Sequence, residues 1–160
     1  MPDAKPPIQY RSFTVSDAAI YAQQLALRDQ HLHQPFGISF LPEYQEQEHL
    51  ILHEGAFHGQ TLVGTVVAKF FNQDSALVAP PKTLGIENPE AHGLAAILGQ
   101  MIVHPQYRGH GIGWQLVQRI EHQIAAQGFT QLTLKARDEA VGFYEKLGYS
   151  REGELYVFKT

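Results

Sequence analysis

A chain of 160 residues that is 44% hydrophobic and 18% charged has the composition of one globular domain able to bury its own core. Its formal net charge of −4 argues against a general nucleic-acid binder, and the absence of cysteine removes disulfides and thiolate chemistry. No apolar run approaches a membrane span and the first residues lack an apolar leader core, so a cytoplasmic single domain over residues 1–160, with a loose tail over 1–7, is expected.

Residues 8–15 alternate in the manner of a strand, and Thr14-Val15-Ser16-Asp17 is a capping cluster for the helix that follows. That helix carries Ala19, Ile20, Leu25 and Leu27 among glutamines and breaks before Pro35-Phe36-Gly37; residues 43–48 can form another short helix. Residues 49–57 and 61–71 read as two strands joined at His58-Gly59-Gln60, a hairpin by turn chemistry. In that reading His49 and His53 share a strand face, the one spacing among nine histidines with any metal-ligand value; with no further ligand in pattern, no metal is assigned.

Residues 72–93 hold Pro80, Pro81, Gly85 and Pro89 without a sustained period, and loops of this length are usually functional or disordered. Residues 94–103 form the next strand, in which Gly99 marks a bulge or a close backbone approach. Residues 112–127 are the clearest helix, with Ile112, Leu116, Val117, Ile120 and Ile124 on one face and Gly128 as its stop. Trp114 falls outside that stripe and either shields the glycine turn or packs under a loop, the second being favoured. A strand over 129–135 leads to Asp138 as an N-cap and a helix to Leu147, with Ala140, Phe143, Tyr144 and Leu147 on one side; residues 149–160 add one or two short strands. Strand, helix, strand, helix after residue 94 is the order of a βαβ unit, and the earlier hairpin makes part of the sheet antiparallel. A mixed α/β sheet covered by helices on both faces follows.

The chemistry concentrates between that unit's first strand and first helix. Three alternate glycines, Gly109, Gly111 and Gly113, free the backbone to turn successive N–H groups toward one point, and a helix begins immediately afterwards. The amides of Gly109, His110, Gly111, Ile112 and Gly113, with Arg108 at the rim, make a site for a phosphate or pyrophosphate. The spacing is neither G-x-G-x-x-G nor G-x-x-x-x-G-K-[ST], so neither a dinucleotide fold nor a P-loop is indicated.

Arg108-x-x-Gly111-x-Gly113, preceded by Val103-His104-Pro105-Gln106-Tyr107, resembles the pyrophosphate loop of the GNAT superfamily of acetyl-CoA-dependent N-acetyltransferases. A second match lies downstream. Ala140-Val141-Gly142-Phe143-Tyr144-Glu145-Lys146-Leu147-Gly148-Tyr149 looks like the family's A-x-x-F-Y-E-K-L-G-F helix. Residues 27–37 are also similar to the ElaA-like branch, on which no substrate is rested. The resemblance implies a mostly antiparallel sheet with a β-α-β pair splayed around the cofactor, and direct attack of an amine on acetyl-CoA through a tetrahedral intermediate. It implies that pantetheine lies along Met101, Ile102 and Val103, that Phe143 lines the cofactor site, and that Tyr144 is the general acid. Arg137 occupies the position where the family commonly has an asparagine, and is carried as a cofactor contact in its place.

An oxyanion donor is expected from a main-chain N–H of Ile102 or Val103, freed by a bulge near Gly99-Gln100. The amine must lose a proton; Glu87 or His92 is the chosen base, with Glu90, Glu48, His49 and Glu54 as further carboxylates and imidazoles near the strands. Acceptor choice is assigned to residues 30–45 and 72–93, the acceptor itself stays unidentified, and a homodimer is left open. The competing function is a non-catalytic acetyl-CoA-binding regulatory domain.

Overall fold

In the computed structural model, residues 7–37 and 47–159 are described. The strands are β1 (Ile8–Phe13), β2 (Leu52–His58), β3 (Thr61–Phe71), β4 (Leu77–Val78), β5 (Ala95–Val103), β6 (Gln131–Leu134), β7 (Ser150–Glu152) and β8 (Leu155–Lys159). The helices are α1 (Ala18–Arg28), α2 (Ile112–Ala126) and α3 (Val141–Lys146). The sheet runs β1-β2-β3-β5-β6-β8-β7, with β4 added to the end of β3. Every pairing is antiparallel except β5 with β6. The expected mixed, mostly antiparallel α/β sheet is what forms.

Adjacent strand residues point to opposite faces, and that parity places the helices. Thr65 accepts from Gln24 of α1, whereas a side chain at Gly64 would meet Leu116 of α2 at 3.0 Å. The two helices therefore cover opposite faces. The predicted stripe of α2, Ile112, Leu116, Val117, Ile120 and Ile124, is buried in full, each side chain contributing on the order of 1.5–3 kcal/mol. Beside it Glu54 of β2 is buried and takes Ser12, Arg119 and Gln123 as donors, which fastens α2 to the edge of the sheet.

Several expectations change in detail. The first helix breaks before Pro35, as expected, but its α-helical part stops at Arg28 and a π turn (Asp29–His33) and a 3-10 turn (Gln34–Phe36) carry the chain on to left-handed Gly37. Asp17 does not cap α1; its carboxylate accepts from Thr14 N–H, behind the helix. Asp138 likewise caps nothing, since a 3-10 turn (Asp138–Ala140) precedes α3. His49 lies in a 3-10 turn (Glu48–Leu50) and His53 inside β2, so they share no strand face, and no group of three metal-ligating residues occurs among the described residues. Of the helix expected over residues 43–48, positions 43–46 lie outside the described residues.

Residues 72–93 are not a loose loop. Asn72 Oδ1 accepts from the N–H groups of Asp74 and Ala76 and turns the chain into β4. Two 3-10 turns follow, Pro81–Leu84 and Pro89–His92. They are pinned near the C-terminal end of α2, Lys82 N–H on Gln127 Oε1 at 2.9 Å and Glu90 accepting from both Thr130 N–H and Thr130 Oγ1.

Candidate active site

β5 and β6 meet at a single register pair, Ile97 with Thr133, and then diverge. The divergence opens a cleft of about 1000 Å³ that runs from the glycine turn to the side chains of Lys69 and Leu77. Its open wall is the unpaired edge of β5.

The glycine turn forms one end, and its three glycines serve two purposes. Gly109 and Gly111 have φ of 84° and 77°, the left-handed region, with open space where a Cβ would stand. Gly113 has ordinary dihedrals but a Cβ there would stand 3.3 Å from Phe143 Cζ and 3.6 Å from Met101 Cε. The first two shape the turn; the third keeps the cradle open. Gly111 is the N-cap of α2 and no side chain caps the helix, so the amides of its first turn keep their donors for something else. Arg108 Nε donates to Val103 O at 3.2 Å, which holds the arginine against the strand it follows.

β5 carries the expected bulge. Val67 pairs with Gly99 and Thr65 with Ile102, so Gln100 and Met101 together face Val66 alone. The left-handed residue is Gln100, with φ of 50°, rather than Gly99. Pairing parity then sorts the two oxyanion candidates. His104 N–H donates to Val63 O at 2.8 Å, so Ile102, of the same parity, directs its N–H toward β3. Val103 directs its amide to the open edge.

Tyr144 lies across the splay from β5, buried, with its ring against Phe143 at 5.0 Å and Tyr149 at 5.5 Å. Its hydroxyl has no hydrogen-bond partner among the described residues, and burial pushes its pKa up to about 12. Arg137 reaches over the cleft, where Nη2 donates to Leu32 O at 3.3 Å and ties the π turn to the end of β6.

Of the predicted cofactor residues, Met101, Ile102, Val103, Arg108, Gly109, Gly111, Ile112, Gly113, Arg137 and Phe143 line the cleft, and His110 does not. Tyr144 lines it too. Glu87 and His92 do not: both are exposed, in the segment pinned near the end of α2, and of residues 72–93 only Leu77 reaches the cleft. Trp114 is 46% exposed and lines the cleft instead of packing under a loop.

What sequence reasoning missed is the polar wall contributed by α1, the π turn and the residues before β2. Arg28, fully buried, donates to Glu48 through Nη1 at 2.5 Å and Nη2 at 3.4 Å. Glu48 also accepts Tyr21 Oη at 2.9 Å. Gln100, held inward by the bulge, faces Arg28 Nε and His33 Nε2, each at 3.3 Å. Behind them His53 sits between Gln24 Oε1 and Glu48 O, and burial lowers its pKa. His31, against His104, leaves Nε2 without a hydrogen-bond partner among the described residues; burial first, then His104 and Arg108, lower its pKa. The one local signal was the run of glutamines on α1, whose Gln24 is buried.

Against known proteins, residues 18–149 match the acetyltransferase (GNAT) family model. An acetyltransferase of Yersinia pestis (strain Pestoides F) is 37% identical over 70 residues, 42% of this chain and 48% of that protein. The chain thus spans about half the length of the curated relatives it matches. An acetyltransferase of Streptococcus agalactiae 2603 shares the fold with a TM-score of 0.69 at 14% identity, over 96% of this chain and 98% of the other. A GNAT family acetyltransferase of Brucella melitensis, solved in complex with acetyl-CoA, does so with a TM-score of 0.65 at 17% identity, over 96% and 88%.

Proposed function

This chain belongs to the acetyltransferase (GNAT) family, and on that footing we propose that it moves the acetyl group of acetyl-CoA onto a primary amine. The observation that carries the reading is one cleft holding both a glycine-shaped helix start and, across the splay of β5 and β6, a buried tyrosine, the helix start uncapped and the hydroxyl unengaged among the described residues. The first suits a pyrophosphate, the second a leaving thiolate, and the open β5 edge between them suits an extended amide-bearing arm.

Each residue then has a task. The amides opening α2, with Arg108, hold the pyrophosphate. Val103 N–H faces the open edge and hydrogen-bonds the pantetheine arm. Tyr144 hydrogen-bonds the departing sulfur. A thiol titrating near ~8.5 is a stronger acid than a tyrosine held at about 12, so Tyr144 stabilises the thiolate as a donor without giving up its proton. His31 replaces Glu87 and His92 as the group that takes the amine proton: it lines the cleft, is neutral near pH 7, and its buried Nε2 has no hydrogen-bond partner among the described residues.

Thermal unfolding with acetyl-CoA, ATP and a dinucleotide tests the binding half. Acetyl-CoA is expected to raise the Tm most, and a larger effect of ATP or the dinucleotide would overturn the reading.

A further inference from the structure

Lys69 is a cation the reaction described above does not use. It sits in β3 opposite Ile97, six residues before the end of β5 at Val103, and so roughly 20 Å along the strand from the glycine turn. That distance removes it from the pyrophosphate. Its side chain shares a strand face with Thr65 and Val67, the face covered by α1, and lines the cleft at the end where Arg28, Glu48 and Gln100 converge. Burial lowers its pKa, with Glu48 opposing and Arg28 adding to the effect.

Among the described residues Glu48 is the carboxylate at this end, and it is bound in a two-point pair to Arg28 and accepts Tyr21 as well. Lys69 has neither hydrogen bond nor ion pair among the described residues. Among the described residues Lys69 is thus left without a counter-charge of its own, a part-buried ammonium lining the cleft. In a protein of net charge −4, that placement calls for an anion brought in from outside.

We infer that the amine acceptor also carries a carboxylate, as an amino acid or a compound derived from one does, and that Lys69 binds this carboxylate beside the bulge of β5. A single ammonium matches a monoanion better than a phosphate dianion, since the Arg28 guanidinium is already committed to Glu48. This inference rests on the acetyltransferase reading and adds the acceptor's chemical class to it.

The test compares matched acceptors with acetyl-CoA: amino acids, their amides, and the amines that lack the carboxylate. The wild type is expected to favour the carboxylate-bearing member by about tenfold or more in kcat/KM, chiefly through KM. In Lys69→Met that ratio falls toward one, and in Lys69→Arg, which keeps the charge and cannot serve as a base, it is largely restored. Lys69→Met is also expected to melt higher than the wild type when no acceptor is present, because an uncompensated buried cation is removed. An unchanged ratio in Lys69→Met, or equal use of acids and amides by the wild type, overturns the carboxylate site while leaving acetyl transfer standing. No amine-dependent consumption of acetyl-CoA by any member overturns both.

Discussion

Single residues in the cleft are separable by what their loss should do. Tyr144→Phe keeps the ring that packs on Phe143 and Tyr149 and removes only the hydroxyl, so affinity for acetyl-CoA should hold while turnover drops roughly tenfold or more. Equilibrium binding alongside steady-state rates reads both halves; undiminished turnover would take Tyr144 out of the chemistry. His31 has its own signature in a pH profile. A base whose pKa is lowered is competent above that value and disabled below it, so the wild-type rate should fall on acidification somewhere below ~6.5, and His31→Gln should lose that limb. That Tyr144, Arg108 and the three glycines lie along one cleft was legible in the sequence because each motif is local: a turn followed by a helix, or one helical face. Lys69, Arg28 and His31 were not, and Glu48 was named only among several candidate bases. They come together only when β3 pairs with β5, α1 crosses the sheet and the bulge turns Gln100 inward, and no short spacing encodes those pairings. Glu87 and His92 illustrate the converse, chemically suitable side chains on a segment whose backbone docks elsewhere.

Elements, rather than side chains, shape the cofactor half. The turn into α2 depends on left-handed Gly111, so Gly111→Ala should cost about 1 kcal/mol of stability by denaturant unfolding. Gly113→Leu should act differently. It would press on Phe143 and Met101 and fill the cradle, weakening acetyl-CoA binding more than it disturbs folding. If Gly113→Leu bound acetyl-CoA as the wild type does, the pyrophosphate could not lie at this helix start. The stripe of α2 and the hairpin over Gly59-Gln60 were readable from periodicity and turn chemistry, and the bulge was foreseen within one residue of its place. Residues 72–93 were misread because proline and glycine signal turns without saying whether those turns are docked; Lys82, Gln127, Glu90 and Thr130 decide that through contacts across the chain.

Over the whole molecule, one sheet supports two separate networks. The face toward α2 is mainly apolar, with Glu54 its buried carboxylate, while the face toward α1 buries Gln24, Arg28, Glu48 and His53 along one wall of the cleft. That polar face should make the fold acid-sensitive. His53 and His31 have lowered pKa values in the folded protein, so their stabilising contribution is present above the unfolded value of ~6.5 and is lost as pH falls through the folded values. Tm measured from pH 7.5 down to 5 should decline, and His53→Gln should decline less. The central claim, that the cleft between β5 and β6 performs acetyl transfer, is tested most directly by measuring CoA thiol released from acetyl-CoA as amines are added, with the products weighed by mass spectrometry. Release is expected to rise with amine and to be matched one for one by N-acetylated product. Saturable acetyl-CoA binding with no amine-dependent release would contradict it and make the chain a CoA-binding regulatory domain.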